Sequence, residues 1–316
     1  MAVYQLIPTC KDYIWGGNKL RTIFHKESDS DRIAESWELS CHPDGPSYLV
    51  ENGKKVSLAE VVKNSKKDVM GRNCQKFKEF PVLIKLIDAC DNLSIQVHPS
   101  DEYALKNEHQ YGKTEMWYIV DCEENAGLYF GFKKEISKEE FAERIREDRL
   151  LEVLNWVPVK KGDTFFIEAG TIHAIGKGIV IAEIQQNSNV TYRVYDYGRI
   201  GKDGKKRDLH IEKAIAVTNR EPKNLQESYA PHLGICKYFC TDKLNLDGIY
   251  IKSVSGTVLD NSFLHILILE GNGTVTTKDN SISFKKGDSL FLPASSGAYE
   301  IEGTCEAILT TIPDME

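Results

Sequence analysis

The segment LSIQVH at residues 93–98 combines side chains that could do chemistry. If it forms a strand, Ser94, Gln96 and His98 point to one face and the apolar residues between them point to the other, because successive side chains alternate. One face would then pack into a core, while the other presents a hydroxyl, an amide and an imidazole. Such a face is suited to binding a small ligand or a metal ion.

Two later segments add the remaining donors of a possible metal site. Glu115 begins a strand-like stretch and shares a face with Lys113, and His173 stands in a turn after another strand-like stretch. Two imidazoles, a carboxylate and an amide are nitrogen and oxygen donors suited to zinc or another divalent transition ion. Because these residues are far apart in the sequence, only strand pairing could bring them together.

The residues by themselves leave other interpretations open. His98 could be a hydrogen-bonded structural histidine, and Glu115 could be the buried ion-pair partner of Lys113. Two histidines and a carboxylate would also suit the non-haem iron of an oxygenase.

The elements that must position these residues are predicted to be mostly strands. Short segments rich in Val, Ile, Phe and Tyr are separated by Gly, Asn and Asp, which is typical of a β-sandwich or barrel. Clear examples lie at residues 80–88, 93–97, 115–121, 179–184 and 249–254. Short helical segments are predicted at about 50–75 and 135–155. Each contains a capping-box spacing, Ser57 with Glu60 and Ser137 with Glu140.

An internal repeat organises the chain. The sequence KKGDTFFIEA at residues 160–169 is echoed by KKGDSLFLPA at residues 285–294, which indicates two related β-units. The first copy continues to His173, whereas the second continues without a histidine. We therefore predict a metal-binding domain at residues 1–230 and a degenerate domain without a metal site at residues 237–316.

Composition and charge restrict the class of protein. The 316 residues are 41% hydrophobic and 28% charged, which is typical of a soluble globular protein. The net charge of -7 argues against a nucleic-acid or membrane surface as the main partner. The N-terminus has no signal-peptide pattern, so we expect a cytoplasmic protein with eight reduced, structural cysteines. Cys236 and Cys240 have no second pair, so no zinc finger is predicted.

Seven motifs, in order along the chain, resemble segments of the type I phosphomannose isomerases. They are WGG at 15–17, ESWELS at 35–40 with HPDGPS at 42–47, PVLIK at 81–85, QVHP at 96–99, GKTEMWY at 112–118, AGTIHA at 169–174 and EIQQNSNVTYRVYDYGR at 183–199. The resemblance runs from about residue 3 to about residue 215 and is looser beyond. It identifies the chain as a member of that family within the cupin superfamily.

The resemblance implies a mostly β fold of two cupin-type (jelly-roll) β-barrel units with a few helices. Longer members carry a helical domain where this chain has only residues 123–155, so it resembles a short bacterial form with a short helical insertion. The resemblance also implies one Zn²⁺ per chain. Its ligands would be His98, Glu115 and His173, with Gln96 as the fourth.

The activity implied is the reversible isomerisation of mannose 6-phosphate and fructose 6-phosphate through an enediol or enediolate. Arg193 matches an active-site arginine and is expected to stabilise that intermediate or the phosphate; the alternative is an ion pair with Asp196 or Glu183. Lys113 could hold a hydroxyl or shuttle a proton as a second catalytic residue. Ser94, Lys113 and Glu183 are predicted substrate contacts. The base stays open among Lys113, Glu183 and a metal-bound water.

The expected partner is therefore a small sugar phosphate, with no nucleic acid and no membrane. The oligomeric state is not determined by the sequence. A non-catalytic protein that binds sugar phosphates is the alternative from another functional class, and the intact candidate site argues against it.

Overall fold

The computed structural model of the protein describes residues 1–51, 53–201, 204–225 and 228–315. The α-helices are α1 Lys19–Thr22, α2 Leu58–Met70, α3 Asp101–Asn107, α4 Lys138–Arg146 and α5 Ile211–Val217, and two 3₁₀ turns span Arg72–Cys74 and Leu150–Val153. The strands, in chain order, are β1 Tyr4–Gln5, β2 Thr9–Lys11, β3 Glu35–Leu39, β4 Tyr48–Glu51, β5 Lys54–Ser57, β6 Val82–Ala89, β7 Ile95–Val97, β8 Glu115–Cys122, β9 Gly127–Phe132, β10 Leu154–Pro158, β11 Thr164–Ile167, β12 His173–Ile175, β13 Ile179–Gln186, β14 Tyr192–Tyr195, β15 Gly234–Cys236, β16 Phe239–Leu246, β17 Ser253–Val258, β18 Leu264–Thr277, β19 Ser281–Lys285, β20 Ser289–Leu292 and β21 Gly297–Thr311.

Three main sheets contain almost all of these strands. A six-stranded sheet has the order β11-β8-β13-β6-β3-β2, and a five-stranded sheet has the order β10-β9-β12-β7-β14. The third, eight-stranded sheet has the order β1-β20-β18-β21-β16-β15, with β17 paired to β21 and β19 paired to β18. The pairings within them are antiparallel.

The six-stranded sheet is the middle layer. One of its faces packs against the five-stranded sheet through side chains such as Ile119 and Leu128. Its other face packs against the eight-stranded sheet, where Ile84 and Phe291 share one apolar cluster. Strands β6 and β13 are buried along their whole length because both faces are covered, which explains their nearly continuous apolar sequences. Each fully buried Ile or Phe side chain contributes about 1.5–3 kcal/mol through removal from water.

The predicted helices form where their caps indicate. The Ser57 hydroxyl accepts a hydrogen bond from the Glu60 amide at 3.2 Å, and the Ser137 hydroxyl accepts one from the Glu140 amide at 3.0 Å. These bonds satisfy amides that the first helical turn leaves without partners. Helix α4 buries Phe141 against the outer face of the five-stranded sheet. The short helical insertion is thus confirmed.

Two expectations need correction. The described sheets are not closed barrels but the faces of a cupin-like β-sandwich, because sheet edges such as β2, β10 and β14 pair with a neighbour on one side only. Residues 249–254 were predicted to be one strand, but Asp247 Oδ1 accepts hydrogen bonds from the amides of residues 249, 250 and 251 and holds a turn there. The strand β17 begins only at residue 253.

The N-terminus crosses the predicted domain boundary. Strand β1 pairs with β20, so Tyr4 lies opposite Phe291 in the sheet of the second unit. The division at residues 230 and 237 stays a prediction, and the two units share an apolar cluster across it.

Candidate active site

The predicted site residues come together between the six-stranded and five-stranded sheets. Glu115 is the first residue of β8, and His173 is the first residue of β12. Gln96 on β7 lies directly opposite His173 on one neighbouring strand and Arg193 on the other. Strand pairing therefore brings Gln96, His173 and Arg193 together in the five-stranded sheet, and the facing six-stranded sheet adds Glu115.

Three of these side chains have their donor atoms close together. His173 Nε2 lies 3.3 Å from Glu115 Oε1, and His98 Nε2 lies 3.7 Å from Glu115 Oε2. All three residues are at most 1% exposed. Gln96 Nε2 lies 3.5 Å from His173 Nε2, so the amide borders the same group. Distances of this size between donor atoms fit a shared ion with metal–ligand bonds of about 2 Å.

The hydrogen bonds of the two histidines orient them for ligation. His98 Nδ1 lies 2.9 Å from the Val190 carbonyl, and His173 Nδ1 lies 2.8 Å from the Thr171 carbonyl. A carbonyl only accepts, so each Nδ1 carries the proton and each Nε2 presents a lone pair. Burial lowers the pKa of His98 well below its usual value and the pKa of His173 to about 4. Both rings are therefore neutral at pH 7, which is the form that binds metals.

Glu115 supplies the negative charge of the group. Both of its carboxylate oxygens are buried, and Oε1 has no hydrogen-bond partner among the described residues. Its Oε2 is 2.5 Å from Lys113 Nζ, which also lies 3.2 Å from His98 Nε2. Burial raises the pKa of Glu115, and the negative charge of Glu183 raises it further. A buried carboxylate that keeps one oxygen without a hydrogen-bond partner in the described part of the chain, beside two nitrogen lone pairs, fits a divalent cation.

A second cluster of charged side chains adjoins the first. The sequence predicted its Glu183 as a site residue, but not its Lys85 and Glu35. Lys85 Nζ lies 3.0 Å from Glu183 Oε1 and 3.7 Å from Glu35 Oε2. Burial alone would raise the pKa of Glu183, but the charges of Lys113 and Lys85 outweigh burial and lower it. Trp117 Nε1 donates to Glu183 Oε2 at 3.0 Å. The signal for Lys85 was present in the sequence, as a lysine inside the apolar strand β6.

A cavity of about 270 Å³ opens beside these clusters. Among the predicted residues, Ser94, Gln96, Lys113, Glu183 and Arg193 line it. Residues that the sequence analysis did not single out as contacts also line it, namely Tyr13, Glu35, Lys85, Asn189, Thr191 and Arg207. The three candidate ligands lie behind this wall. A larger cavity of about 600 Å³ lies beside β1, but none of the predicted site residues lines it.

Arg193 is not held by the carboxylates that the sequence suggested. Asp196 is bound instead by Arg207, with Nε 2.7 Å from Oδ2, and by Arg199. Arg193 Nη1 donates to the Asp208 carbonyl at 2.9 Å, and its buried Nε has no hydrogen-bond partner among the described residues. Burial lowers its pKa, although arginine stays charged at neutral pH. A guanidinium in the cavity wall that forms no ion pair with a carboxylate of the described residues suits an anionic ligand.

Comparison with known proteins identifies the family. Residues 3–124 match the model of the phosphomannose isomerase type I catalytic domain, and residues 231–312 match that of the mannose-6-phosphate isomerase cupin domain. The mannose-6-phosphate isomerase ManA of Bacillus subtilis is 38% identical over 317 residues, which cover 96% of each chain. The chain belongs to the type I phosphomannose isomerase family. The resemblance inferred from the seven motifs is thereby confirmed.

Solved structures agree with this family and with the fold. The crystal structure of the mannose 6-phosphate isomerase from Bacillus subtilis has a TM-score of 0.89 and 34% identity, and the match covers 98% of this chain and 99% of that one. A structure of mannose 6-phosphate isomerase bound with zinc and yttrium has a TM-score of 0.78 at 20% identity, covering 98% and 99% of the two chains, and shares the fold. The predicted mostly β, cupin-type class is confirmed.

Proposed function

We propose that this phosphomannose isomerase interconverts mannose 6-phosphate and fructose 6-phosphate at the His98–Glu115–His173 site, with one zinc ion per chain. The isomerase activity follows from its family. The metal and the residue roles rest on one observation: two imidazole lone pairs and a buried carboxylate meet within 4.8 Å of one another, beside a cavity lined by lysine and arginine side chains. Gln96 is the proposed fourth ligand, because its side chain borders His173.

The donor set fits zinc, since neutral imidazoles and a carboxylate are among its usual ligands. A bound divalent ion would polarise the sugar carbonyl or hold the sugar oxygens in place. Lys113 contacts both His98 and Glu115, and these contacts would keep its ammonium group beside the bound sugar. We propose that Lys113 holds a substrate hydroxyl or transfers a proton there.

The remaining roles follow from charge and access. Arg193 carries a permanent positive charge in the cavity wall, so it would stabilise the enediolate or the phosphate. Ser94 would donate a hydrogen bond to a hydroxyl or a phosphate oxygen. Glu183 is held ionised by Lys85 and Lys113, so it would accept a hydrogen bond from a substrate hydroxyl, and its lowered pKa makes it a weak base.

We further propose that residues 1–230 form the catalytic unit and residues 237–316 a unit without a metal site of the His98 type. None of the described helices is long and apolar enough to cross a membrane. We also propose that the protein is cytoplasmic. Its proposed partner is a small sugar phosphate, with no nucleic acid and no membrane.

The test combines metal analysis with turnover. We expect the purified protein to convert mannose 6-phosphate, to lose that activity on chelation and to regain it with zinc. A His173→Ala variant should fail to retain the metal. His109→Asn is the matched control, because His109 is exposed with φ of 56°, a conformation that asparagine tolerates.

A folded, metal-loaded protein without this turnover would overturn the proposal. Oxygen uptake with bound iron would then point to the oxygenase alternative. Turnover that survives complete metal removal would leave the family activity intact and overturn only the metal role.

A further inference from the structure

A second group of metal-ligand side chains lies outside the catalytic cavity, on the hairpin formed by β15 and β16. Cys240 and Asp242 alternate along β16, so their side chains point to one face. His232 precedes β15 and reaches the same face. Its Nδ1 lies 2.7 Å from Asp242 Oδ1 and 3.3 Å from Cys240 Sγ.

Hydrogen bonding satisfies this arrangement only weakly. The sulfur and the carboxylate both approach the same ring nitrogen, His232 Nδ1. A proton on that nitrogen is donated mainly to the carboxylate, because sulfur is a weak acceptor. If it donates to Asp242, it cannot accept from the Cys240 thiol. A cation between the three atoms would be bound by all of them.

We propose that His232, Cys240 and Asp242 form a second metal site for borderline-soft divalent ions such as zinc. The thiolate and imidazole disfavour calcium and magnesium, which prefer oxygen ligands. On binding, Cys240 releases its thiol proton to solvent, and the His232 ring keeps its proton on Nε2. This departs from two expectations, that all eight cysteines are only structural and that residues 237–316 hold no metal site, since Cys240 and Asp242 lie in that range.

The burial of the three residues determines the kind of site. Cys240 is 7% exposed and lies at the base, whereas the side chains of His232 and Asp242 are 32% and 47% exposed. An ion there would have three protein ligands and one side open to water.

Sulfur distinguishes the two sites experimentally. The candidate catalytic site has nitrogen and oxygen donors only, so cobalt bound there gives no thiolate-to-cobalt charge-transfer band. We would titrate the metal-free, full-length protein with Co²⁺ and follow that near-ultraviolet band. The proposal expects the band to saturate at one equivalent beyond the catalytic ion, and to persist in His173→Ala.

Two cysteines of the same hairpin provide the matched variants. Cys240→Ser should abolish the band, whereas Cys236→Ser should keep it, because Cys236 is not one of the three donors. Asp242→Asn, at a partly exposed side chain, should weaken Co²⁺ binding by roughly tenfold or more, since even loss of an outer-shell partner costs about 10–100-fold. This variant decides the question if Cys240→Ser does not fold. Isomerase activity should be unchanged in all three.

The absence of a thiolate band at saturating Co²⁺ would overturn the proposal and leave an ordinary histidine–aspartate ion pair. A band that survives Cys240→Ser would also overturn it and point to another cysteine, such as the exposed Cys90. Either result would leave the proposed isomerase function untouched.

Discussion

The turns at residues 160–163 and 285–288 occupy equivalent places in the two β-units. In the first, Asp163 Oδ2 accepts a hydrogen bond from the Lys160 amide at 2.9 Å. The Gly162 amide donates to the Ile119 carbonyl, and the Ile119 amide donates to the Asp163 carbonyl, both at 2.9 Å. These hydrogen bonds attach the turn to the neighbouring strand β8.

The second turn repeats these bonds one for one. Asp288 Oδ2 accepts from the Lys285 amide at 2.8 Å, and Gly287 and Asp288 exchange hydrogen bonds with Ile268 of β18 at 2.9 Å. The next strands, β11 and β20, pair with β8 and β18 in the same register. The backbone of the duplicated element is therefore the same in both units.

The side chains at equivalent positions differ. Glu115 lies opposite Ile167 in the first unit, and Leu264 lies opposite Leu292 in the second. By the same register, the position of Glu183 is taken by Leu309. The second unit thus packs apolar side chains where the first has two carboxylates. The difference teaches that a few polar replacements convert this scaffold from a packed core into a site.

The largest effect is expected when Glu115 is replaced by leucine, the residue type at the equivalent position of the second unit. Glu115→Leu should lose the metal and lower kcat/KM by at least about 100-fold, because the only charged ligand is gone. Elemental analysis and steady-state kinetics measure both. Glu115→Gln accompanies it, since glutamine keeps a side-chain oxygen that can accept a hydrogen bond from the buried Lys113, whereas leucine keeps none.

The mirror control is Leu264→Met, a volume-conserving change at the equivalent position, which should leave metal content and kcat unchanged. A Glu115→Leu protein that keeps one tightly bound ion would break the comparison.

The next largest effect is expected at Arg193, a cation on strand β14 of the first unit. Arg193→Ala should lower kcat by about 100–1,000-fold, the usual loss for one group that stabilises a developing anion. Arg144→Ala is the control, because Arg144 pairs with Glu140 and Glu152 at the surface of α4. If only KM rises and kcat stays the same, Arg193 binds the phosphate without stabilising the enediolate.

Gly162 and Gly287 occupy equivalent positions in the two turns. Replacing each by alanine tests whether the residues packed around the turns are also alike. Gly162 and Gly287 have φ of +93° and +90°, so alanine is strained at either position. A Cβ at Gly162 would meet only the Tyr118 hydroxyl at 3.8 Å, whereas one at Gly287 would lie 2.2 Å from the Phe24 carbonyl oxygen. Urea unfolding should show a loss of about 1–2 kcal/mol for Gly162→Ala. The loss for Gly287→Ala should reach about 3 kcal/mol or more. Equal losses would contradict this contrast.

The smallest effect comes from the buried histidine of the second unit. His265 Nε2 lies 2.8 Å from Ser289 Oγ, and burial, followed by the charge of Lys26, lowers its pKa to about 3. Between that value and about 6.5 the unfolded chain binds a proton that the folded chain does not, so stability falls as the pH decreases. This group should contribute about 2 kcal/mol of the loss between pH 6.5 and 4.5.

The variant His265→Gln should remove that share of the loss, measured by urea unfolding at both pH values. His109→Asn, at the exposed site, should behave like the natural protein. An unchanged pH dependence in His265→Gln would show that His265 is not the titrating group.

Much of the site was predictable because its chemistry lies in local sequence patterns. The alternation in residues 93–98 brought Gln96 and His98 to one face, and the spacing of Lys113 and Glu115 brought their charges together. The contact of Lys113 with Glu115 appears as expected, and Gln96 and His98 both border the imidazole of His173. The metal roles of these residues stay predictions until an ion is measured.

Other features could not be predicted from neighbouring residues. The cluster of Lys85, Glu35 and Glu183 exists only because β6 lies between β3 and β13, with Lys85 directly opposite Glu183. A lysine within an apolar strand gives no indication of which carboxylate will face it. The open sandwich and the pairing of β1 with β20 likewise depend on contacts between distant segments.

The sequence by itself determined the turns, the helix caps, the duplicated unit and the donors available for chemistry, because these depend on hydrogen bonds and alternation within a few residues. The tertiary structure decided which donors meet. Strand register is selected by burial of the whole core, and a shift of one residue would turn Glu115 away from His173. The same reason applies to His232, whose nearness to Cys240 and Asp242 arises only from the pairing of β15 with β16.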